Sequence, residues 1–249
     1  MLAVALATQA VGLLVIGTVL ELHPEAFSAV SLGWGALAGL AGAAGVSLLY
    51  HALSIGRMGV VSPVTALLAA AVPVIFGIAT GERPSPLVYC GLVLAAVAIV
   101  AISASFDSSG EREYSTAGLR EAVLSGIAFG AFFTLLGMTR EGAPLFALLG
   151  SRLASVGLLG SIVFATRTSI RAKGALWILV LGGALDMGAN ILYLLAARID
   201  GLAISAVLTS LYPASTVLLA AIVLRERLSR IQWAGVLFAL VAVAMIAAG

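Results

Sequence analysis

Apolar stretches of about twenty residues, separated by short polar turns, follow one another from one end of the chain to the other. Nine can be drawn, at 2–20, 30–54, 58–80, 86–105, 116–138, 144–166, 174–197, 201–223 and 230–248. None alternates strictly between apolar and polar positions, so each predicts a helix and not a strand. The turns are short except for 106–115, FDSSGEREYS, the only polar linker. Composition strengthens this picture. The chain is 62% hydrophobic and 10% charged, whereas a soluble domain carries about 25% charged residues. No soluble core of 249 residues could bury so much apolar surface. With lipid as the solvent, every backbone polar group must be satisfied internally, by helices or a closed barrel. The expected fold is an all-α polytopic membrane protein of about nine transmembrane helices. The opening MLAVALATQA lacks the basic residues of a secretory leader and its apolar run continues to Leu20, so it reads as the first span.

The pattern repeats. The run from Tyr50 to Ser103 resembles the run from Tyr193 onward. At an offset of 143, Tyr50 falls on Tyr193 and Ser62 on Ser205. After a one-residue slip, Thr65 falls on Thr209, Glu82-Arg83 on Glu226-Arg227, Ser85 on Ser229 and Gly91 on Gly235. Chance likeness between Ala/Val/Leu-rich helices is the competing explanation; the shared charged turn and glycine argue against it. A long period with apolar character predicts two membrane half-bundles of inverted topology. The halves are 1–105 and 116–249, joined by the linker 106–115. The span 116–138 has no partner in the first half, which leaves four helices there against five. The expectation is a five-plus-five plan lacking its first helix, with a true nine-span protein as the alternative.

Local signals mark several boundaries. Ser85-Pro86 supplies a cap and a proline at the first helical position. Ser229 with Gln232 forms a capping box. Gly35-xxx-Gly39 and Gly126-xxx-Gly130 put small residues on one face, where backbones can approach closely. Pro63, Pro73 and Pro213 lie inside spans and invite kinks, for packing or for a cavity. Glu82 and Glu226 lie in turns beside arginines, where ion pairing is the simplest expectation.

Ionisable residues at membrane depth are costly and are candidates for function. Arg152 lies about 12 Å into its span. Asp186 lies about 18 Å into the next, antiparallel span, leaving about 12 Å of a hydrocarbon core of about 30 Å. The two therefore reach similar depth on consecutive helices, as a structural pair or as a substrate or proton site. Asp186, Asn190 and Tyr193 are spaced i, i+4, i+7 and form one polar stripe. The repeat places Ala43, Ser47 and Tyr50 at the equivalent positions and puts Gln9 opposite Arg152. His51 and Trp34 share the helix of Tyr50; Thr65, Thr209, Ser210 and Tyr212 are further candidates for a central cavity. A lone histidine near a helix end is also often interfacial.

The remaining composition excludes several classes. A net charge of +2 spread over loops leaves no nucleic-acid patch. A single cysteine, Cys90, excludes an internal disulfide and a cysteine metal site, and two histidines, His23 and His51, are too few for a metal cluster. There is no HExxH, no pair of intramembrane aspartates and no spaced Ser/His pair, so an intramembrane enzyme is not indicated. No cofactor is expected.

Leu211-Tyr212-Pro213, Leu224-Arg225-Glu226-Arg227-Leu228, Trp233-Ala234-Gly235 and the apolar last span, with a weaker echo at Gly81-Glu82-Arg83-Pro84 and Gly91, resemble the ten-helix EamA-type members of the drug/metabolite transporter superfamily. The resemblance implies two inverted five-helix repeats, a central cavity and alternating access. It implies a secondary transporter of a metabolite, amino acid or drug-like compound, proton-coupled or exchanging, in the cell (inner) membrane. The chain departs from that pattern in its missing first helix, in Pro73, and in Gly81 where the second turn has Arg225. Expected partners are a small-molecule substrate and membrane lipid, with protons and a second copy of the chain left open. The expected substrate-binding residues are Arg152, Asp186, Asn190, Tyr193, Tyr50, Gln9, Ser47, His51 and Tyr212. A non-transporting membrane subunit or a lipid-carrier flippase component is the alternative, which an apolar groove open to lipid would favour. Orientation is in conflict: Arg57, Arg112, Arg120, Arg167, Arg171, Lys173, Arg225, Arg227 and Arg230 make one side cytoplasmic by the positive-inside rule, and the resemblance makes that side external.

Overall fold

The computed structural model describes residues 2–56, 58–103, 117–139, 142–167, 176–211 and 229–248. Among these, all regular structure is helical: α1 (Leu2–Leu22), α2 (Ala29–Ile55), α3 (Met58–Ala79), α4 (Pro86–Ser103), α5 (Leu119–Gly137), α6 (Pro144–Ala165), α7 (Leu176–Asp200), α8 (Leu202–Ser210) and α9 (Arg230–Ala248). Five of them, α1, α2, α5, α6 and α7, are long and apolar enough to cross a membrane by length and composition. Shorter apolar helices lie in α3, α4 and α9. The helices follow the apolar stretches closely because, in lipid, a backbone that leaves the helix loses hydrogen bonds it cannot replace. The linker 106–115, Tyr212, Pro213 and the turn from Arg225 to Leu228 lie outside the described residues.

The anticipated boundary signals operate. Ser85 Oγ accepts the Val88 N–H at 3.3 Å. Ser229 and Gln232 close the reciprocal box, with 2.9 Å from the Ser229 N–H to Gln232 Oε1 and 3.2 Å from the Gln232 N–H to Ser229 Oγ. α3 continues as one helix through both Pro63 and Pro73. Two helix starts use carboxylates distant in sequence. Glu25 Oε2 accepts the Leu145 N–H at 2.9 Å, at the start of α6. Glu82 accepts the Leu202 and Ala203 N–H groups at 2.7 and 3.0 Å, at the start of α8. A carboxylate here satisfies orphan donors and meets the positive end of the helix dipole. The turn into α8 passes through Gly201 at φ +86°, a conformation that favours glycine. This capping role of Glu82 goes beyond the turn ion pair expected from its sequence neighbours.

The chain forms two compact units that do not follow the sequence halves. One contains residues 1–47 and 131–200; the other contains 48–130 and 201–249. In the first, α1 packs against α6 and α7, and the glycine face of α2 lies directly on α6. A Cβ at Gly35 would collide with the Ala147 carbonyl, and one at Gly39 with the Ser151 carbonyl. In the second unit, α9 packs along α4 and α3 along α8, around a core of small residues that includes Ala66, Ala70, Ala95, Ala98, Ala239 and Ala242. Gly126 and Gly130 bring α5 onto α3 in the same manner: a Cβ at Gly126 would lie 2.6 Å from Leu68 Cβ. Both small-xxx-small faces are therefore packing faces. Lipid gives helices no hydrophobic reason to associate, so close backbone approach must supply the attraction.

A direct check uses two glycines of α2. Gly39→Leu forces a side chain into the α6 backbone and should cost about 3 kcal/mol. Gly33→Ala, where a Cβ meets nothing within 4 Å, should change stability by less than about 0.5 kcal/mol. Thermal unfolding of the purified protein in detergent compares them; equal effects would contradict the packing account.

Candidate functional site

The polar centre of the first unit is built on α6 around Arg152. This side chain is 5% exposed although it lies about 12 Å along its helix. A guanidinium at that depth needs partners for its nitrogens, and each nitrogen has one. Nη2 donates to Asp186 Oδ2 on α7 at 2.7 Å. Nη1 donates to Gln9 Oε1 on α1. Nε donates to the Met187 sulfur at 3.3 Å. Ser155, one turn further along α6, donates from Oγ to Gln9 Oε1 at 3.4 Å. Three helices thus converge on one cation. Arg152 and Asp186, matched in depth along their spans, are in contact, and Gln9, the position equivalent to Arg152 in the first repeat, reaches the same guanidinium.

Packing makes room for this cluster. A Cβ at Gly12 would lie 3.0 Å from Arg152 Nε, so glycine there lets α1 cover the guanidinium without displacing it. Gly183 lets α7 approach α1, where a Cβ would lie 2.6 Å from the Thr8 carbonyl. Gly12, Ser155 and Met187 were missed from sequence. Gly12 lies one helical turn from Gln9, which was the available hint; nothing in the sequence distinguishes Met187 from an ordinary core methionine.

The polar stripe of α7 has an open end and a closed one. The Asp186 side chain is 51% exposed. Asn190 is buried, and its Nδ2 donates back to the Asp186 carbonyl at 2.8 Å. Tyr193 is buried, and its hydroxyl donates to the Phe133 carbonyl of α5 at 2.8 Å, with the two rings 4.9 Å apart. In the same unit Ser47 Oγ donates to the Ala43 carbonyl at 2.8 Å and Trp34 is part-exposed.

The other candidates belong to the second unit or lie outside the described residues. Tyr50 is half-buried and His51 exposed on α2. Thr65 is buried and donates to the Ala122 carbonyl at 3.2 Å, tying α3 to α5. Thr209 donates to the Ser205 carbonyl at 2.7 Å. Tyr212 lies outside the described residues, as does the side chain of Ser210. The second unit also carries an apolar groove of about 410 Å³ between α3, α4 and α8, lined by residues including Leu68, Val74, Leu92, Ala96 and Val207, with Tyr89 at one end.

A bundle of apolar helices, five of them long enough to cross a membrane, with a charged cluster buried among three of them, defines a multi-pass membrane protein. Comparison with known proteins makes this more specific. The EamA-like transporter family matches residues 117–248, and the chain belongs to that family. The family is one of membrane transporters. A solved crystal structure of a protein is similar to this chain with a TM-score of 0.81 at 15% identity, covering 98% of this chain and 86% of that one. At that identity the likeness bears on the fold. No curated protein matches the chain.

The cluster predicts an asymmetry between its partners. Asp186→Ala strands a guanidinium that cannot shed its charge, and should cost about 2–4 kcal/mol, reduced from the fully buried case by the exposure of the carboxylate. Arg152→Met leaves a half-exposed carboxyl that can take up a proton, and should cost roughly 1 kcal/mol or less. Thermal unfolding in detergent reads both, and the reverse order would contradict the assignment of Arg152 as the buried member.

Proposed function

We propose that the protein is a secondary transporter which moves a small metabolite, amino acid or drug-like compound by alternating access between its two repeats. Family membership supports transport in general. The single observation that carries the finer reading is the Arg152–Asp186 pair, buried at one end and open at the other. A purely structural pair in lipid gains by being sealed on both sides, since exposed charge is expensive there. An open carboxylate at mid-depth suits a group that meets water, substrate or a proton during a cycle. In this reading Asp186 carries the proton or substrate contact, Arg152 holds it in place with Gln9, and Asn190 and Tyr193 keep α7 in register. Tyr50, Ser47, His51 and Tyr212 remain candidates for substrate contact. The activity is transport and not catalysis, and the setting is the cell (inner) membrane with lipid and a small-molecule substrate as partners. Protons and exchange are the coupling modes, and a homodimer is compatible with both.

A second reading has one observation in its favour. The apolar groove of the second unit is what a non-transporting subunit or a lipid-carrier flippase component would use. Flux of water-soluble compounds in liposomes separates the two.

The test is the pH dependence of flux in proteoliposomes loaded with a labelled metabolite panel. Asp186→Asn keeps the shape and a hydrogen bond to Arg152 but removes the exchangeable proton, and should abolish the pH dependence of flux. Unchanged pH dependence would remove Asp186 from the mechanism.

A further inference from the structure

The apolar groove of the second unit has the length of one lipid tail. Its walls are α3 and α4, which run antiparallel on either side of the turn 80–85, and α8 contributes Val207. Along α3 the groove extends from Leu67 to Ile78, about 16 Å. Along α4 it extends from Tyr89 to Ile99, about 15 Å. One leaflet of a hydrocarbon core of about 30 Å has the same depth. The two ends differ. Ile78 and Tyr89, next to the polar turn, are each 41% exposed. At the far end Ile99 is 1% exposed, and Val207, about 8 Å into α8, is 5% exposed. Ala71 and Ala96 are small and leave the space between the walls open. The turn adds a charge at the mouth. Glu82 is committed to the start of α8. Its neighbour Arg83 is exposed, and its side chain enters none of the hydrogen bonds or ion pairs found among the described residues.

From this arrangement we infer that the groove binds one phospholipid, with an acyl chain laid between α3 and α4 and the phosphate held at Arg83. Water does not fill an apolar cavity, and an empty one forfeits dispersion contacts along its whole lining. In a membrane the filler is at hand, because the groove opens sideways past Tyr89 and Val93, the latter 67% exposed. A tail gains little by leaving the bilayer for the groove, since lipid solvates it as well as leucine does. Preference for one lipid over its neighbours must therefore come from the head. A guanidinium matches a phosphate with two parallel hydrogen bonds. The Tyr89 ring lies at the level where tyrosines meet headgroups, its body apolar and its hydroxyl a donor. The phosphate also sets the direction: the tail enters between Ile78 and Tyr89 and ends between Leu67 and Ile99. A neutral glyceride can fill the groove but leaves Arg83 unused. Such a phospholipid is a resident of the second unit and not cargo, so the inference stands apart from the carrier reading.

The experiment uses the full-length protein in liposomes of phosphatidylethanolamine and phosphatidylglycerol. A tracer phosphatidylglycerol with a diazirine near the end of one acyl chain is photolysed, and the labelled residues are mapped by mass spectrometry. Label should reach Ile99 and Val207, which are buried from lipid outside the groove. Ala96→Phe, which fills the groove from α4, should lower that label at least about fivefold. Val97→Phe, at an exposed position outside the lining, should leave it unchanged. Arg83→Gln should lower it about fivefold, the contribution of one cation at a membrane surface, and Arg83→Lys should restore most of it. A diacylglycerol with the same chains and the same diazirine should label wild type and Arg83→Gln equally. Label confined to exposed positions such as Val93 and Val100, or label at Ile99 and Val207 that ignores Ala96→Phe, overturns the groove as a lipid site. Equal labelling of wild type by the two lipids overturns the phosphate contact at Arg83. Thermal unfolding in detergent checks that Ala96→Phe is folded, and Ala71→Leu, which fills the same space from α3, serves as the second groove variant.

Discussion

The first unit depends on neutralising one guanidinium in oil. An arginine at the centre of a membrane helix costs about 2.5–3.5 kcal/mol on insertion scales, and this one is almost fully enclosed. Its enclosure is tolerable because a carboxylate, an amide oxygen and a sulfur reach it from α7, α1 and α7 again. The same contacts fix the relative placement of three helices. α1 can turn only slightly before Gln9 leaves the cation, and α7 only slightly before Asp186 does. Charge satisfaction thus adds specificity to a unit whose helix packing is otherwise largely apolar, the Glu25 cap and the Tyr193 hydroxyl bond apart.

That arrangement needs backbones close together, which is the work of small residues. Gly12 leaves room for the guanidinium, Gly183 lets α7 meet α1, and Gly35 and Gly39 seat α2 on α6. In water, burying leucine would drive such packing; in lipid, leucine is as well solvated outside as inside. Attraction falls to van der Waals contact at short range, so each missing side chain is part of the interface. The second unit follows the same rule with alanines on α3, α4 and α9. It differs in keeping a groove between α3, α4 and α8 whose described lining is almost wholly apolar.

Much of this was legible in the chain. Helix positions follow from apolar length, because a bilayer allows the backbone so few alternatives. Ser85, Ser229 and Gln232 announced their caps by residue type and spacing. Arg152 and Asp186 stood out because charge is rare in such spans, and their similar depth implied a pair. Gln9 was found only through the repeat. What could not be read was which member of the pair is buried and which is open. That depends on how Gly12 and Gly183 admit α1, a packing detail with no one-dimensional signature. The caps by Glu25 and Glu82 were equally hidden, since each acts on a helix start about 120 residues away. A carboxylate beside an arginine in a turn looks like a surface pair until the fold brings an unsatisfied N–H to it.

The open face of Asp186 connects the fold to the transport reading, and its environment can be measured without disturbing the pair. Ala189 and Leu192 are both exposed on α7, Ala189 on the side of Asp186 and Leu192 away from it. With Cys90 replaced by alanine, a single cysteine at each position can be exposed to a charged, water-borne methanethiosulfonate reagent in liposomes. The account predicts that the cysteine at 189 reacts readily and the cysteine at 192 does not. If both resist the charged reagent and both accept a lipid-soluble maleimide, the carboxylate faces hydrocarbon and the account is wrong.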